Sequence, residues 1–160
     1  MKAVVNTTPL VALGQIGRLS LLRQLFDEVI IPEVVYLEAI AGEENRPGAE
    51  EVRQATWIIR HTLPDEPDWQ MNLLGLDAGE RDVLRLARVM HPDWVIIDEK
   101  LGRRVAQTLG FSIKGTLGIL LAAYQANHID RHEAFLAVSQ LEKSSVRISQ
   151  SLLQWFQSQL

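Results

Sequence analysis

Short apolar runs alternate along this chain with longer segments in which apolar residues return every three or four positions. The runs are "AVVN" (3–6), "EVIIP" (28–32), "TWIIRH" (56–61), "DWVIID" (93–98) and "FSIKG" (111–115). Their length and β-branched content predict short strands, with "AVVN" reading as a buried one. The longer segments predict helices at "LSLLRQLF" (19–26), "PEVVYLEAI" (32–40), "GERDVLRLARVM" (79–90), "KLGRRVAQTLG" (100–110), "LGILLAAYQA" (117–126), "RHEAFLAVSQL" (131–141) and "SLLQWFQSQL" (151–160). Strands alternating with helices imply an α/β domain whose central sheet is mostly parallel and covered on both faces. "GEENRPG" (42–48) and "TLPDEPD" (62–68) hold the breakers of surface loops within one domain spanning residues 1–160.

Several acids sit where the pattern expects apolar residues. Glu80 opens the stripe Glu80, Val83, Ala87 and Met90, so it projects from the face its helix buries, although Asp77 and Glu80 also have capping-box spacing. Glu38 follows Val34 by four and Val35 by three, and looks inward in the same way. Asp98 ends "WVIID" directly after four apolar residues, where its plain structural role is to cap the next helix. Asn6 ends the first strand, and open α/β sheets bind ligands outside such strand ends. Two strand ends and two helices can deliver Asn6, Glu38, Glu80 and Asp98 to one crevice. Clustered carboxylates repel, so a cation has to balance them. Hard oxygen donors without Cys or His suit Mg²⁺ or Mn²⁺, and the chemistry such a site supports is metal-assisted phosphodiester hydrolysis.

Composition narrows the field. The chain has 160 residues and no cysteine, which excludes disulfides and thiolate ligands and fits a reducing cytoplasm. Its longest strongly apolar run, "TLGILLAAY", is far short of the about 20 residues of a membrane helix, so a soluble, unprocessed cytoplasmic protein is expected. The net charge of -4 argues mildly against a polyanion partner. The positive charge, however, is 12 Arg against 4 Lys, with Arg81, Arg85, Arg88, Lys100, Arg103 and Arg104 close together in sequence. Arginine forks well onto phosphate. The pair His128 and His132 lacks an HExxH setting, and "GQIGR" and "GTLG" lack a nucleotide-binding fingerprint.

In order, "VVNTTPLVALGQIGRLSLL", "VIIPEVVYLEAI", "LDAGERDVLRLA", "IIDEKLGRRVAQTLG" and "IKGTLGILLAAYQANHI" make the chain resemble PIN-domain proteins nearly end to end, in particular a bacterial PIN-like family of unknown function. That resemblance implies a Rossmann-like α/β/α sandwich. It also implies a divalent-metal-dependent ribonuclease of the kind found as the toxin of toxin/antitoxin pairs, with RNA, a small antitoxin and a second copy of the chain as candidate partners. The acids of PIN nucleases fall on Asn6, Glu38, Glu80 and Asp98, with Glu99 adding a further oxygen. Asn6 departs from the family pattern, which has aspartate there. An amide oxygen still coordinates a hard cation but brings no charge, so a scaffold that binds nucleic acid or a protein without cleaving is the rival reading.

Thr7, Thr8 and Thr116 stand at helix starts, as caps or as phosphate contacts, with Pro9 suited to a first helical turn. Together with Lys100, Arg103, Arg104 and Lys114 they form the expected nucleic-acid-binding set. Leu152, Leu153, Trp155, Phe156 and Leu160 give the last helix a broad apolar surface, expected to dock on its own domain.

Overall fold

Five strands pair in the order β3-β2-β1-β4-β5, every neighbour parallel. They are β1 (Lys2–Val5), β2 (Glu28–Pro32), β3 (Ile59–His61), β4 (Trp94–Ile96) and β5 (Ile113–Lys114). The computed structural model describes residues 1–41, 47–65 and 74–160, so residues 42–46 and 66–68 of the two expected loops lie outside the described residues. Val4 pairs with Ile30 on one side and Val95 on the other, which places β1 at the centre of the sheet. Its residues Ala3, Val4 and Val5 are fully buried, as a strand covered on both faces requires.

Among the described residues the helices are α1 (Thr7–Gln15), α2 (Leu21–Leu25), α3 (Glu33–Ile40), α4 (Ala49–Gln54), α5 (Ala78–Met90), α6 (Lys100–Thr108), α7 (Thr116–Gln125), α8 (Arg131–Glu142) and α9 (Gln150–Ser158). Two of these have no full counterpart among the expected helices: of α1 the sequence marks only a start, at Thr7, Thr8 and Pro9, and of α4 nothing. In α1, Pro9 through Gly14 are all buried, so "TTPLVALGQ" carries no polar stripe to mark a period. The other, α4, is only six residues long, too short for periodicity to register. They pack so closely that a Cβ on Gly14 would lie 2.9 Å from the Gly48 carbonyl oxygen.

The topology decides where a site can form. From β1 the chain steps through β2 to β3 on one side, then returns across the sheet to β4 and on to β5. Right-handed crossovers in opposite directions put the helices of the two halves on opposite faces, so the chain splays apart beyond the carboxyl ends of β1 and β4. Asn6 follows β1, and Asp98 and Glu99 follow β4 by two and three residues. α5 lies on β1 and β2 and against α3, which brings Glu80 and Glu38 to the same side. The last helix divides its apolar residues: Leu153 and Phe156 are buried, whereas Leu152 and Trp155 stay partly exposed. No helix among the described residues is long and apolar enough to cross a membrane.

Candidate functional site

Asn6 is the N-terminal boundary residue of α1, extended at φ -83° and ψ 170°, yet its side chain does not cap the helix. It is 3% exposed and instead donates from Nδ2 to Glu99 Oε2 at 3.2 Å. Its Oδ1 is buried and has no hydrogen-bond partner. Flipping the amide would set two oxygens against each other at Glu99, so this orientation is the favourable one. The cost of an orphaned buried acceptor is on the order of 1–3 kcal/mol.

Around Asn6 the acids hold one another at close quarters. Glu99 Oε1 accepts from the Thr8 hydroxyl, and Glu38 Oε2 accepts from the Thr7 hydroxyl at 2.7 Å. Both hydroxyls expected at phosphate therefore point at carboxylates. Glu80 meets both of its alternatives at once. It closes a capping box, its amide donating to Asp77 Oδ1 at 2.8 Å and its Oε2 accepting from the Asp77 amide at 3.0 Å. It is also 6% exposed, beside Val83 and Ala87 in the buried stripe. Burial pushes its carboxyl above the usual range, and the Asp77, Glu99 and Glu38 carboxylates push it further.

Asp98 does not cap the helix that follows it. Glu99 occupies the position before α6, and both Asp98 oxygens instead serve Thr116, Oδ1 accepting its amide at 2.8 Å and Oδ2 its hydroxyl at 2.6 Å. Thr116 is in turn the first residue of α7 rather than its cap, a position held by Gly115. As the first helical residue it donates both its amide and its hydroxyl to the charged carboxylate of Asp98. Burial raises the Asp98 carboxyl, Thr116 pulls it back, and Glu99 adds to the rise.

Glycines permit this crowding. A Cβ on Gly79 would stand 2.7 Å from Glu38 Oε2, and one on Gly115 2.6 Å from Asp98 Oδ1 and 3.1 Å from Arg103 Nη1. Gly79→Ala lies in a helix, where alanine ordinarily stabilises by about 1 kcal/mol. Here both Gly79→Ala and Gly115→Ala should destabilise, by about 1–3 kcal/mol, because a carboxylate oxygen must leave its partner, the Thr7 hydroxyl for Glu38 and the Thr116 amide for Asp98. Chemical denaturation of the two variants against wild type checks the sign.

The metal-free protein should also carry an unusual pH dependence. Glu80 and Asp98 both have carboxyls raised in the folded state, so the native form binds protons more readily than the unfolded one. Their stabilising contribution is complete below the ordinary carboxylate pKa and is lost as pH rises through the folded values. Partly exposed Glu33, lowered by its Arg60 partner, works in the opposite sense at lower pH. Melting curves in chelator should therefore show stability falling as pH climbs above the ordinary carboxylate range, and Glu80→Gln should flatten that fall.

The expected residues thus divide. Asn6, Glu38, Glu80, Asp98, Glu99, Thr7, Thr8 and Thr116 share one connected region at the carboxyl ends of β1 and β4. As the side chains stand, no group of three or more His, Cys, Asp or Glu among the described residues is arranged to hold a metal ion. The donor chemistry nevertheless suits a hard cation, given the orphaned Asn6 oxygen and the carboxyls raised beside like charges.

Thr7, Thr8, Asp98, Glu99 and Thr116 open onto a groove of ≈ 910 Å³. Arg103 and Lys114 line it, and Arg103 Nη1 donates to the Ile97 carbonyl at 2.8 Å. Lys100 and Arg104 are exposed on α6 but are not among its lining residues. Arg85, part of the basic cluster in sequence, is paired within its own helix with Asp82 at 2.9 Å and donates to the Pro64 carbonyl, so it is turned to its own chain. Arg147 and Trp155 also line the groove; the sequence marks Trp155 only as part of an apolar helix surface and Arg147 not at all, because nothing in a terminal segment shows which element it will face.

Residues 2–160 match a family model described as a PIN domain. No curated protein and no solved structure matches the chain.

Proposed function

Because the chain belongs to the PIN-domain family, we propose that its 160 residues form one domain acting as a divalent-metal-dependent ribonuclease. The observation that carries this reading is the orphaned, buried amide oxygen of Asn6 in the strand-end region that also holds Glu38, Glu80, Asp98 and Glu99. Burial first and then the Asp77, Glu99 and Glu38 charges raise the Glu80 carboxyl, and the buried Asn6 Oδ1 lacks a hydrogen-bond partner. A fold spends that energy when the arrangement has a use that balances it, and a bound cation balances both defects.

Asn6, Glu38, Glu80, Asp98 and Glu99 would hold Mg²⁺ or Mn²⁺. The bound ion supplies charge for the phosphodiester's developing negative charge and lowers the pKa of a water. The chain's own residues do the rest. Thr7 and Thr8 orient Glu38 and Glu99 through their hydroxyls, and Asn6 Nδ2 keeps its own oxygen turned away from Glu99. Thr116 fixes Asp98, tying β4's exit to the start of α7. Arg103 and Lys114, on the groove wall, face the phosphates of an RNA strand lying in it.

As in PIN nucleases that are toxins of toxin/antitoxin pairs, the activity would serve in the cytoplasm and be held in check by a small antitoxin. Homodimer formation belongs to the same reading. A second reading, a scaffold that binds without cleaving, is favoured by one specific feature: Asn6 contributes no charge while both Asp98 oxygens are engaged by Thr116. The experiment is direct. Purified protein is incubated with single-stranded RNA in chelator, in Mg²⁺ and in Mn²⁺. Cleavage in either metal, abolished by chelator, is the expected result; binding without cleavage in all three favours the scaffold. A small antitoxin-like frame beside the gene would support the toxin role.

A further inference from the structure

The groove has a wall that takes no part in the acid site. It is built by the C-terminal segment, which tertiary contacts hold in place. Leu153 and Phe156 of α9 are buried, the Tyr124 hydroxyl donates to the Leu160 carbonyl at 3.2 Å, and Gln15 Nε2 donates to Ser145 Oγ at 3.3 Å. Anchored that way, α9 turns Leu152 and Trp155, three residues apart and so on one face, toward the groove. Each is 43% exposed. A tryptophan held half-bare on a fixed helix presents a rigid aromatic face to whatever enters.

The same groove is lined by Arg103, Lys114 and Arg147, and none of the three is in an ion pair among the described residues. Lys114 Nζ lies 3.8 Å over the Trp94 ring, which orders the ammonium without neutralising it. An occupant must therefore offer negative charge to the cations and a flat π face to Trp155. An acidic peptide meets the first demand alone, whereas a single-stranded nucleic acid repeats both at every nucleotide.

We propose that Trp155, backed by Leu152, is a base-stacking subsite for single-stranded RNA, with Arg147 and Lys114 taking the phosphates that flank the stacked base. The subsite rests on the RNA reading above and adds to it the residue that grips a base away from the acids.

The test is fluorescence anisotropy with a labelled single-stranded RNA on the order of ten nucleotides, a length suited to an aromatic-lined groove, in metal-free buffer. Trp155→Ala should weaken binding about tenfold, while Trp155→Phe should keep most of the affinity. An RNA of the same length made of abasic units should bind wild type and Trp155→Ala alike. Arg147→Gln should reduce the slope of log affinity against log salt by about one. Melting curves on each variant establish that it is folded, and Trp155→Leu, which keeps an apolar side chain but removes the π face and should also weaken binding, carries the test should the alanine variant fail to fold. Equal affinity of wild type and Trp155→Ala for the intact RNA overturns the subsite, even where Mn²⁺-dependent cleavage persists. No binding by wild type overturns it as well. Binding that depends on Trp155, in a protein that cleaves nothing in any metal, upholds the subsite and removes the nuclease.

Discussion

Asn6→Asp is expected to tighten Mn²⁺ binding tenfold or more while lowering the melting temperature of the metal-free protein by several degrees. The substitution is nearly isosteric, so Ala3, Val4 and Val5 keep their packing and the change is electrostatic. In the metal-free state it replaces a donor with an acceptor opposite Glu99 Oε2, turning a hydrogen bond of 3.2 Å into a contact between two carboxylates. Losing that bond and adding repulsion at a residue 3% exposed costs about 1–3 kcal/mol. At about 2–4 °C per kcal/mol for a chain of this size, the loss is readily measured. With metal the sign reverses. A carboxylate about 2 Å from a divalent ion gains far more than an amide oxygen, and even heavy screening leaves on the order of 1.4 kcal/mol, a factor of ten. Calorimetric titration of Mn²⁺ into both proteins, with melting curves in chelator and in saturating Mn²⁺, reads the two halves separately. Unchanged affinity would show that the ion does not contact position 6 and would move the balance to the scaffold.

Glu80→Gln and Asp98→Asn should each reduce metal-dependent RNA cleavage by at least about a hundredfold, the loss expected when several kcal/mol of charge stabilisation by a misplaced ion are withdrawn. Neither should unfold the protein. The glutamine of Glu80→Gln keeps an oxygen for the Asp77 amide, and the asparagine of Asp98→Asn keeps one for the Thr116 amide while the threonine hydroxyl turns to accept. Since both carboxyls are raised by burial and like charge, their removal should increase metal-free stability. Activity and melting temperature therefore move in opposite directions. Equal cleavage by wild type and both variants would place the reaction elsewhere or in a contaminant.

The PIN-type α/β architecture was legible because burial on two faces leaves a mark in sequence. Strands such as "AVVN" and "EVIIP" must be continuously apolar, and the 3.6-residue return of Val83, Ala87 and Met90 identifies a helix with one buried side. Glu80 stood out for the same reason, since a carboxylate in that stripe breaks the pattern, and its burial follows from the period alone. Where a whole run is buried, as Pro9 to Gly14 is in α1, the period vanishes and only the helix start, marked by Thr7, Thr8 and Pro9, is seen. Where the element is as short as α4, there is too little chain for a period to show.

Local order along the chain therefore settled which residues are strand ends, which carboxylates face inward and which family the chain resembles, because each depends on neighbours within a few positions. Partnership was decided elsewhere. Asn6 meets Glu99 and Thr7 meets Glu38 only because β4 lies beside β1 and α5 carries α3 against the sheet. Thr116 binds Asp98 instead of capping α7 because it is the first residue of that helix, one past the cap at Gly115, and there its amide and hydroxyl both reach the charged acceptor that β4 brings beside β5. Likewise Arg85 reaches the Pro64 carbonyl, while Arg147 and Trp155 come to the groove from the far end of the chain. Hydrogen bonds and charges act over a few ångströms in space, and only the folded chain determines which residues fall within that reach.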